Sequence, residues 1–189
     1  MSSPRISRFG EPTETELPAD IAEVYAKNRE KLGFVPNVFR AYARRPEHFR
    51  AFMGYHDVLM KGPGNLSRAE REAIVVAISA ENVCQYCVTA HGAALRILGK
   101  DPVLADQIAI NWRTADLTPR WRAMLEFASE VNAPGFTPTD AEIEAMRAHG
   151  FSDNDLWDIA AIAAFFAFSN RMAGLMDMRP NAEFYALGR

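Results

Sequence analysis

The sequence predicts an all-α fold, and three observations lead to that prediction. From Pro18 onward, apolar residues recur at helical spacing along nearly the whole chain. Most segments with this spacing begin at Ser, Thr, Asp or Pro, and several end at Gly or Pro, as helices commonly do. No run of alternating β-branched residues between turn signals indicates a strand. We therefore expect one domain of roughly eight to ten helices joined by short loops.

The chain begins with a polar segment that lacks periodicity, residues 1–17, which we predict to be an extended arm. Residues 18–189 then form the predicted all-α domain. Its first helix, PADIAEVYAKNREKLG, opens on Pro18 and closes on Gly33, the usual residue types at those two positions. With 189 residues, of which 49% are hydrophobic, the chain is long enough to bury one core.

The later helices are predicted mainly from the residues at which they start. Pro46 separates the second helix from the third, and Ser67 forms a capping box with Glu70 at the start of the fourth. The remaining predicted segments are residues 84–99, 101–112, 118–132, 137–150 and 152–176.

The fourth predicted helix and the last one share a weak sequence echo. Aligning Glu72 with Asp158 places Cys84 opposite Asn170, and both helices are rich in Ala and follow a capped polar turn. A duplicated helix pair that kept its thiols in one copy explains the echo. The shared Ala-rich composition explains it equally well, so both explanations stay open.

Charge and hydropathy argue against several classes of function. The net charge is −3, and no basic stripe interleaved with aromatic residues suggests a nucleic-acid partner. Residues 1–18 contain no apolar run of the kind that forms a signal sequence. The most apolar stretch, Ile159 to Phe168, is too short to span a bilayer. We therefore expect a soluble cytoplasmic protein without a membrane partner.

Both cysteines of the chain lie in the stretch SAENVCQYCVTAHG. In a reducing compartment, a CxxC pair is more often catalytic or metal-binding than a structural disulfide. The pattern places Cys84 and Cys87 in the first turn of a helix, where unpaired N–H groups and the helix dipole favour a thiolate. The spacing of Cys87 and His91 is i, i+4, so they share a face, and the i, i+3 spacing of the cysteines permits a disulfide.

Three further residues near the cysteines are candidates for the same site. Glu72 precedes Cys84 by twelve residues, so in an antiparallel helix pair it reaches that sulfur only if the second helix crosses the first. Glu81 lies at a predicted helix end, where a solvated role is expected. Tyr86 offers a hydroxyl to the site, and the alternative is that it packs at the edge of the core.

Three classes of function fit these residues. A redox protein would use the two thiols to reduce a peroxide or to carry out another thiol–disulfide exchange. A zinc site would take both thiolates and the imidazole, with Glu72 as a fourth ligand. A non-enzymatic oligomeric module would use the cysteines only to fill its core. The sequence has no Gly-rich phosphate loop, so we expect no flavin or nicotinamide cofactor, and reducing equivalents from a dithiol protein.

The other histidines and the last helix are expected to be structural. His48, His56 and His149 have no ligand partner nearby in sequence and are predicted to lie on polar faces, in solvated or hydrogen-bonded roles. The last helix contains LWDIAAIAAFFAF and is apolar nearly all round, so one of its sides is expected to contact other protein in a homo-oligomer.

The pattern Glu72-x11-Cys84-x-Tyr86-Cys87-x3-His91 resembles the active-site signature of the alkylhydroperoxidase D-like (AhpD-like) members of the carboxymuconolactone decarboxylase family. The stretches LGFVPNVFRAYARRPEHFRAF and LSRAEREAIVVAISAENVCQYC are similar to its peroxidase-related subgroup, from about residue 17 to about residue 180. The resemblance implies an all-α AhpD-like fold and a homo-oligomer, either a dimer or a hexamer. It also implies thiol-dependent reduction of alkyl hydroperoxides with a Glu and His proton relay.

Carried over position by position, the resemblance implies that Glu72, Cys84, Cys87 and His91 are catalytic. Tyr86 stands where the redox members have a second histidine. The relay thus has one imidazole fewer, which bears on the rate of peroxide reduction. The lactone decarboxylase branch works without this cysteine pair, so the pair argues against that activity. Because Cys87 has the nearer base, we predict that it attacks peroxide and that Cys84 resolves the sulfenic acid, although the helix dipole favours the reverse order.

Overall fold

The computed structural model describes residues 5–189 and contains nine α-helices and three short 3-10 helices there, with no strand in that range. The predicted all-α class is therefore confirmed. The α-helices are α1 (Ala19–Leu32), α2 (Asn37–Tyr42), α3 (Pro46–Lys61), α4 (Arg68–Glu81), α5 (Gln85–Gly99), α6 (Leu104–Asn111), α7 (Pro119–Asn132), α8 (Asp140–Ala148) and α9 (Asp153–Met176). The 3-10 helices are Glu14–Glu16, Trp112–Thr114 and Ala182–Tyr185.

The helix at the centre of the fold is α4. Every residue from Glu70 to Ser79 is buried, because the helix packs against α5, α6, α7 and α9. Its sequence is apolar without a break from Ala73 to Ile78, as expected for a helix that is buried all round. The predicted capping box is confirmed, since Glu70 N donates to Ser67 Oγ at 3.2 Å and Ser67 N donates to Glu70 Oε2 at 2.8 Å.

The last helix, α9, packs with one side on α4 and α7. By length and apolar composition this helix meets the requirements for crossing a membrane, but 50% of its most apolar window is buried inside the protein. It therefore serves as a core helix of the domain. Its other side is exposed and carries Trp157, Phe168 and Leu175, which are 75%, 49% and 52% exposed.

The predicted N-terminal arm is more structured than expected, and its residues 1–4 lie outside the described part of the chain. Glu14–Glu16 forms a 3-10 helix that Thr13 caps through a capping box. Arg179 N donates to Ile6 O at 3.0 Å, which ties the segment to the chain that follows α9. The sequence predicted a uniformly extended arm because a 3-10 helix of three residues is too short to show helical periodicity.

The starts of α4 and α9 are alike, as the sequence echo suggested. Ser67 caps α4 and Ser152 caps α9, each in a capping box. These serines are 85 residues apart, whereas the echo pairs Glu72 with Asp158 at a distance of 86, so the two registers differ by one residue. The two helices also differ in length, because α4 ends at Glu81 whereas α9 continues to Met176. The duplication of a helix pair therefore stays a prediction.

Candidate active site

The site is built on the three-residue connection, Asn82–Cys84, that joins α4 to α5. Val83 has a φ of 55°, a left-handed conformation that β-branched residues rarely adopt, and it is 88% exposed. Such a conformation costs roughly 1–2 kcal/mol and persists only where its surroundings fix it. Two backbone hydrogen bonds contribute, because Cys84 N donates to Ser79 O at 2.8 Å and Val83 N donates to Ala80 O at 3.0 Å.

A network of side-chain amides holds this turn against two other helices. Asn82 Nδ2 donates to Asn132 Oδ1 of α7 and to Asn170 Oδ1 of α9, each at 2.9 Å. Asn170 Nδ2 in turn donates to Ser79 Oγ at 3.0 Å. The turn that carries the cysteines is thus fixed jointly by α4, α7 and α9.

The two cysteines lie at the start of α5, as the sequence predicted. Cys84 is the N-cap residue and Cys87 lies in the first turn, both as free thiols that are 6% and 3% exposed. Hydrogen bonding from the Cys87 thiol is the main cause that lowers the pKa of Cys84 to about 6, against the effect of burial. Hydrogen bonding from the Cys87 backbone N–H and from the Asn170 side chain lowers this pKa further. Of the two thiols, Cys84 is therefore the one that ionises first.

Cys87 carries the proton of the reduced pair. Its hydrogen bond to Cys84 raises the pKa of the Cys87 thiol well above the usual value, and burial and the negative charge of Cys84 act in the same direction. The thiolate thus sits at the helix N-terminus, where the dipole favours it. The sequence pointed both ways on this question, because His91 is the base nearer to Cys87 whereas the helix dipole favours a thiolate at Cys84.

Glu72 and His91 form a close pair in the same region. Glu72 Oε2 lies 2.6 Å from His91 Nδ1, and both side chains are largely buried. In the hairpin of α4 and α5, Glu72 lies ten residues before Asn82 and His91 nine residues after it, so the two are level on neighbouring helices. Glu72 therefore joins the site through His91 and does not have to reach Cys84. With Nδ1 held by the carboxylate, Nε2 of His91 is the nitrogen available to a thiol or a ligand.

A pocket of about 180 Å³ has Cys87, Glu72 and His91 in its wall, and we call it the apolar pocket. Its other lining is mostly hydrophobic and includes Val38, Phe39, Phe52, Met53, Phe166 and Phe184. The ring of Phe166 packs edge-on against that of His91, with centroids 4.8 Å apart. The pocket suits a small apolar molecule with one polar, reactive group.

A second pocket, also of about 180 Å³, has Cys84 in its wall, and we call it the polar pocket. Its lining includes the polar side chains of Asn82, Gln85, Asn170, Asp177 and Arg179. The two sulfurs therefore line different pockets, although they belong to one redox-capable pair.

Tyr86 lines both pockets. Its hydroxyl accepts a hydrogen bond from Val38 N at 3.0 Å, and its ring packs edge-on against Phe184 with centroids 6.5 Å apart. Burial raises the pKa of the Tyr86 phenol, so the hydroxyl keeps its proton. A role for that proton in the reaction stays a prediction.

Comparisons with known proteins identify the family. Residues 46–130 match the model of the carboxymuconolactone decarboxylase family. A peroxidase-related protein from Ralstonia eutropha JMP134, described as an alkylhydroperoxidase AhpD core, is 53% identical, with 99% of this chain and 98% of that chain covered and a TM-score of 0.96. The chain belongs to the carboxymuconolactone decarboxylase family, in its AhpD-like, peroxidase-related subgroup. A peroxidase-related protein from Silicibacter sp. TM1040 is 40% identical, with 100% of this AhpD-like chain and 99% of its own covered and a TM-score of 0.93.

A more distant neighbour shares the AhpD-like fold alone. The debrominase Bmp8, solved in complex with 2,3,4-tribromopyrrole, is 20% identical, with 98% of this chain and 96% of its own covered and a TM-score of 0.77. No curated protein sequence matches the chain. The predicted AhpD-like fold is confirmed by the closer structures.

In this AhpD-like protein, His56 of α3 lies at the site. Its predicted place on a polar face is wrong, whereas the hydrogen-bonded role predicted as one of two possibilities is present, with Asp57 as the partner. It lines the apolar pocket, and its ring centroid lies 6.1 Å from that of His91. The sequence held a signal for it, because His56 follows Phe52 by four residues on the apolar side of α3. His48 and His149 are exposed, as predicted.

Two buried polar residues near the sulfurs also escaped the sequence analysis. Hydrogen bonding from the Asn170 side chain contributes to the lowered pKa of Cys84 and partly offsets the raised pKa of Cys87. The Tyr42 hydroxyl is buried without a hydrogen-bond partner among residues 5–189, and burial raises its pKa. Both residues reach the site through helix packing, which residue spacing does not encode.

Glu81 has a structural role instead of the solvated one expected. Its Oε1 accepts hydrogen bonds from Trp112 Nε1 at 3.0 Å and from Ser129 Oγ at 2.7 Å, so it joins the end of α4 to α7. Among residues 5–189, no three His, Cys, Asp or Glu side chains form a group that would hold a metal ion.

Proposed function

We propose that this protein is a thiol-dependent hydroperoxidase that reduces organic hydroperoxides through a Cys84–Cys87 dithiol/disulfide cycle, with Glu72 and His91 as a proton relay. One observation carries the proposal: the two sulfurs line different pockets. Cys87 lines the apolar pocket together with the Glu72–His91 pair, and Cys84 lines the polar pocket. A substrate and a reductant thus have separate approaches to one redox pair.

In the first half of the cycle, a hydroperoxide ROOH enters the apolar pocket and meets the Cys87 thiol. His91 Nε2 takes the thiol proton, and the Glu72 carboxylate at Nδ1 stabilises the resulting imidazolium. The Cys87 thiolate attacks the terminal peroxide oxygen, the O–O bond breaks, and RO⁻ takes up a proton to leave as ROH. Cys87 is thereby oxidised to a sulfenic acid.

In the second half, the Cys84 thiolate attacks the sulfur of the Cys87 sulfenic acid. The S–S bond forms, and the hydroxide that leaves takes the proton from His91 to become water. The low pKa of Cys84 suits this step, because the nucleophile is already ionised and needs no base. A dithiol protein then reduces the disulfide from the side of the polar pocket, and we place the protein in the cytoplasm, where such reductants operate.

The direct test is the mass of the protein after peroxide treatment. Reduced protein given one equivalent of tert-butyl hydroperoxide is expected to lose two hydrogen atoms per chain, and peptide mapping should find Cys84 linked to Cys87. An unchanged mass in folded, reduced protein would contradict the proposal. One zinc ion per purified chain in elemental analysis would support the zinc alternative instead.

We also propose that a second copy of the chain covers the exposed face of α9, giving a dimer or a hexamer. Trp157, Phe168 and Leu175 lie on one side of this helix because their spacings, eleven and seven residues, are whole helical repeats. Tyr55 of α3, which is 47% exposed, packs against Phe165 of α9 and widens the apolar surface. Apolar stripes of this kind mark contacts between protein chains.

Trp157→Glu is expected to dissociate the oligomer, because it places a charge within the covered surface, at the most exposed of its apolar side chains on α9. Light scattering at micromolar concentration should then give the mass of one chain, 21.1 kDa, and a multiple of it for the parent. Ile110→Glu on α6 is the matched control, since Ile110 is 85% exposed and lies on a different helix. A monomeric parent protein would rule the oligomer out.

A further inference from the structure

We infer that His56 of α3 is a second acid–base group of the apolar pocket and gives the leaving oxygen of the hydroperoxide its proton. The inference rests on the proposed function, because it assigns one step of that reaction to a residue outside the Cys84, Cys87, Glu72 and His91 set.

The position of His56 is the first reason. His56 and His91 line the same pocket of about 180 Å³ as Cys87, and their ring centroids are 6.1 Å apart. Both imidazoles pack edge-on against Phe166, with centroid distances of 6.2 Å and 4.8 Å. A hydroperoxide small enough to place its terminal oxygen on Cys87 in this pocket therefore lies among both rings.

The state of the two His56 nitrogens is the second reason. Nδ1 lies 3.1 Å from Asp57 Oδ1, and this hydrogen bond is the main cause that lowers the pKa of Asp57 to about 2, so the carboxylate is ionised and accepts. Lys61 also pairs with Asp57, at 2.7 Å. Nδ1 therefore carries a hydrogen, and Nε2 is the nitrogen left for a ligand. The side chain is 22% exposed, which lets it recover a proton from water.

The proton balance of the reaction is the third reason. When Cys87 attacks, His91 has just accepted the thiol proton and holds it for the hydroxide released in the second half. The first leaving group, RO⁻, is a strong base and needs a proton of its own. His56 in its imidazolium form, with a hydrogen on each ring nitrogen, gives up the Nε2 proton to form ROH, and solvent then reprotonates the neutral ring. Over the whole cycle, one thiolate, one thiol, one ROOH and one solvent proton are consumed. One disulfide, one ROH and one water are formed.

The test compares two peroxides whose leaving groups differ in basicity, in a Cys84→Ser background that stops the reaction after its first step. tert-Butyl hydroperoxide releases an alkoxide that needs a proton, and peracetic acid releases acetate, which does not. His56→Gln is expected to slow formation of the Cys87 sulfenic acid by tert-butyl hydroperoxide roughly tenfold to a hundredfold, as measured with a sulfenic-acid trap. The rate of its formation by peracetic acid is expected to stay unchanged. His56→Asn, with a smaller amide, should show the same selective loss.

His48→Gln is the matched control, because His48 is exposed on the same helix and should alter neither rate. Equal slowing of both peroxides in the His56 variants would show a packing role and overturn the inference, and so would the absence of any slowing. If the Cys84→Ser parent forms no sulfenic acid with either peroxide, the proposed function itself fails, and the assignment of His56 fails with it.

Discussion

Neither single-cysteine variant is expected to turn over hydroperoxide, and only Cys84→Ser is expected to accumulate a sulfenic acid. Turnover should fall on the order of a thousandfold or more in both variants, because the cycle needs two sulfurs. After one equivalent of peroxide, a sulfenic-acid trap should label Cys87 in Cys84→Ser and leave Cys84 almost unlabelled in Cys87→Ser. The reason is access, since Cys87 lines the apolar pocket and Cys84 the polar one.

The same two variants show whether access to the apolar pocket or ionisation of the thiol decides which sulfur attacks the peroxide. In Cys84→Ser, the neighbour whose hydrogen bond and charge raise the pKa of Cys87 is gone, so Cys87 ionises more readily. In Cys87→Ser, a serine hydroxyl is still able to donate to Cys84 and help to keep its pKa low. Cys84 thus stays available as a thiolate in the protein where little label is expected. Label on Cys84 would mean that ionisation decides which sulfur attacks, and the two cysteines would exchange roles.

Glu72→Gln is expected to lower the rate of the first oxidation step by about a hundredfold. The amide keeps the size of the side chain but removes the carboxylate that lies 2.6 Å from His91 Nδ1, so the imidazolium formed during proton transfer loses its partner. The rate is measured by rapid quenching and trapping of the Cys87 sulfenic acid in the Cys84→Ser background, which isolates this step from disulfide formation.

Glu81→Gln, at the end of the same helix, is the matched control. Glu81 accepts hydrogen bonds from Trp112 and Ser129, so this change should lower the free energy of unfolding by about 1 kcal/mol and leave the oxidation rate unchanged. Equal oxidation rates in Glu72→Gln and its parent would remove the relay from the mechanism while leaving the disulfide chemistry in place.

The sequence by itself determined the helices and the place of the cysteines among them. The capping box of Ser67 and Glu70 and the start of α5 at Cys84 lie where the residue types predict them, because caps and helical spacing act over a few residues. The shared face of Cys87 and His91 follows from the same local geometry. The short 3-10 helices escaped, Glu14–Glu16 and Ala182–Tyr185 among them, since each is too brief to produce a periodic pattern.

The tertiary structure decided which side chains meet and where the thiol proton lies. The pairing of Glu72 with His91 depends on how α4 and α5 lie side by side, and the approach of His56 depends on the packing of α3. The proton rests on Cys87 because burial and hydrogen bonding, which arise only after folding, favour the thiolate at Cys84. Contacts between residues far apart in sequence are set by interhelical packing, which residue spacing along one helix does not specify.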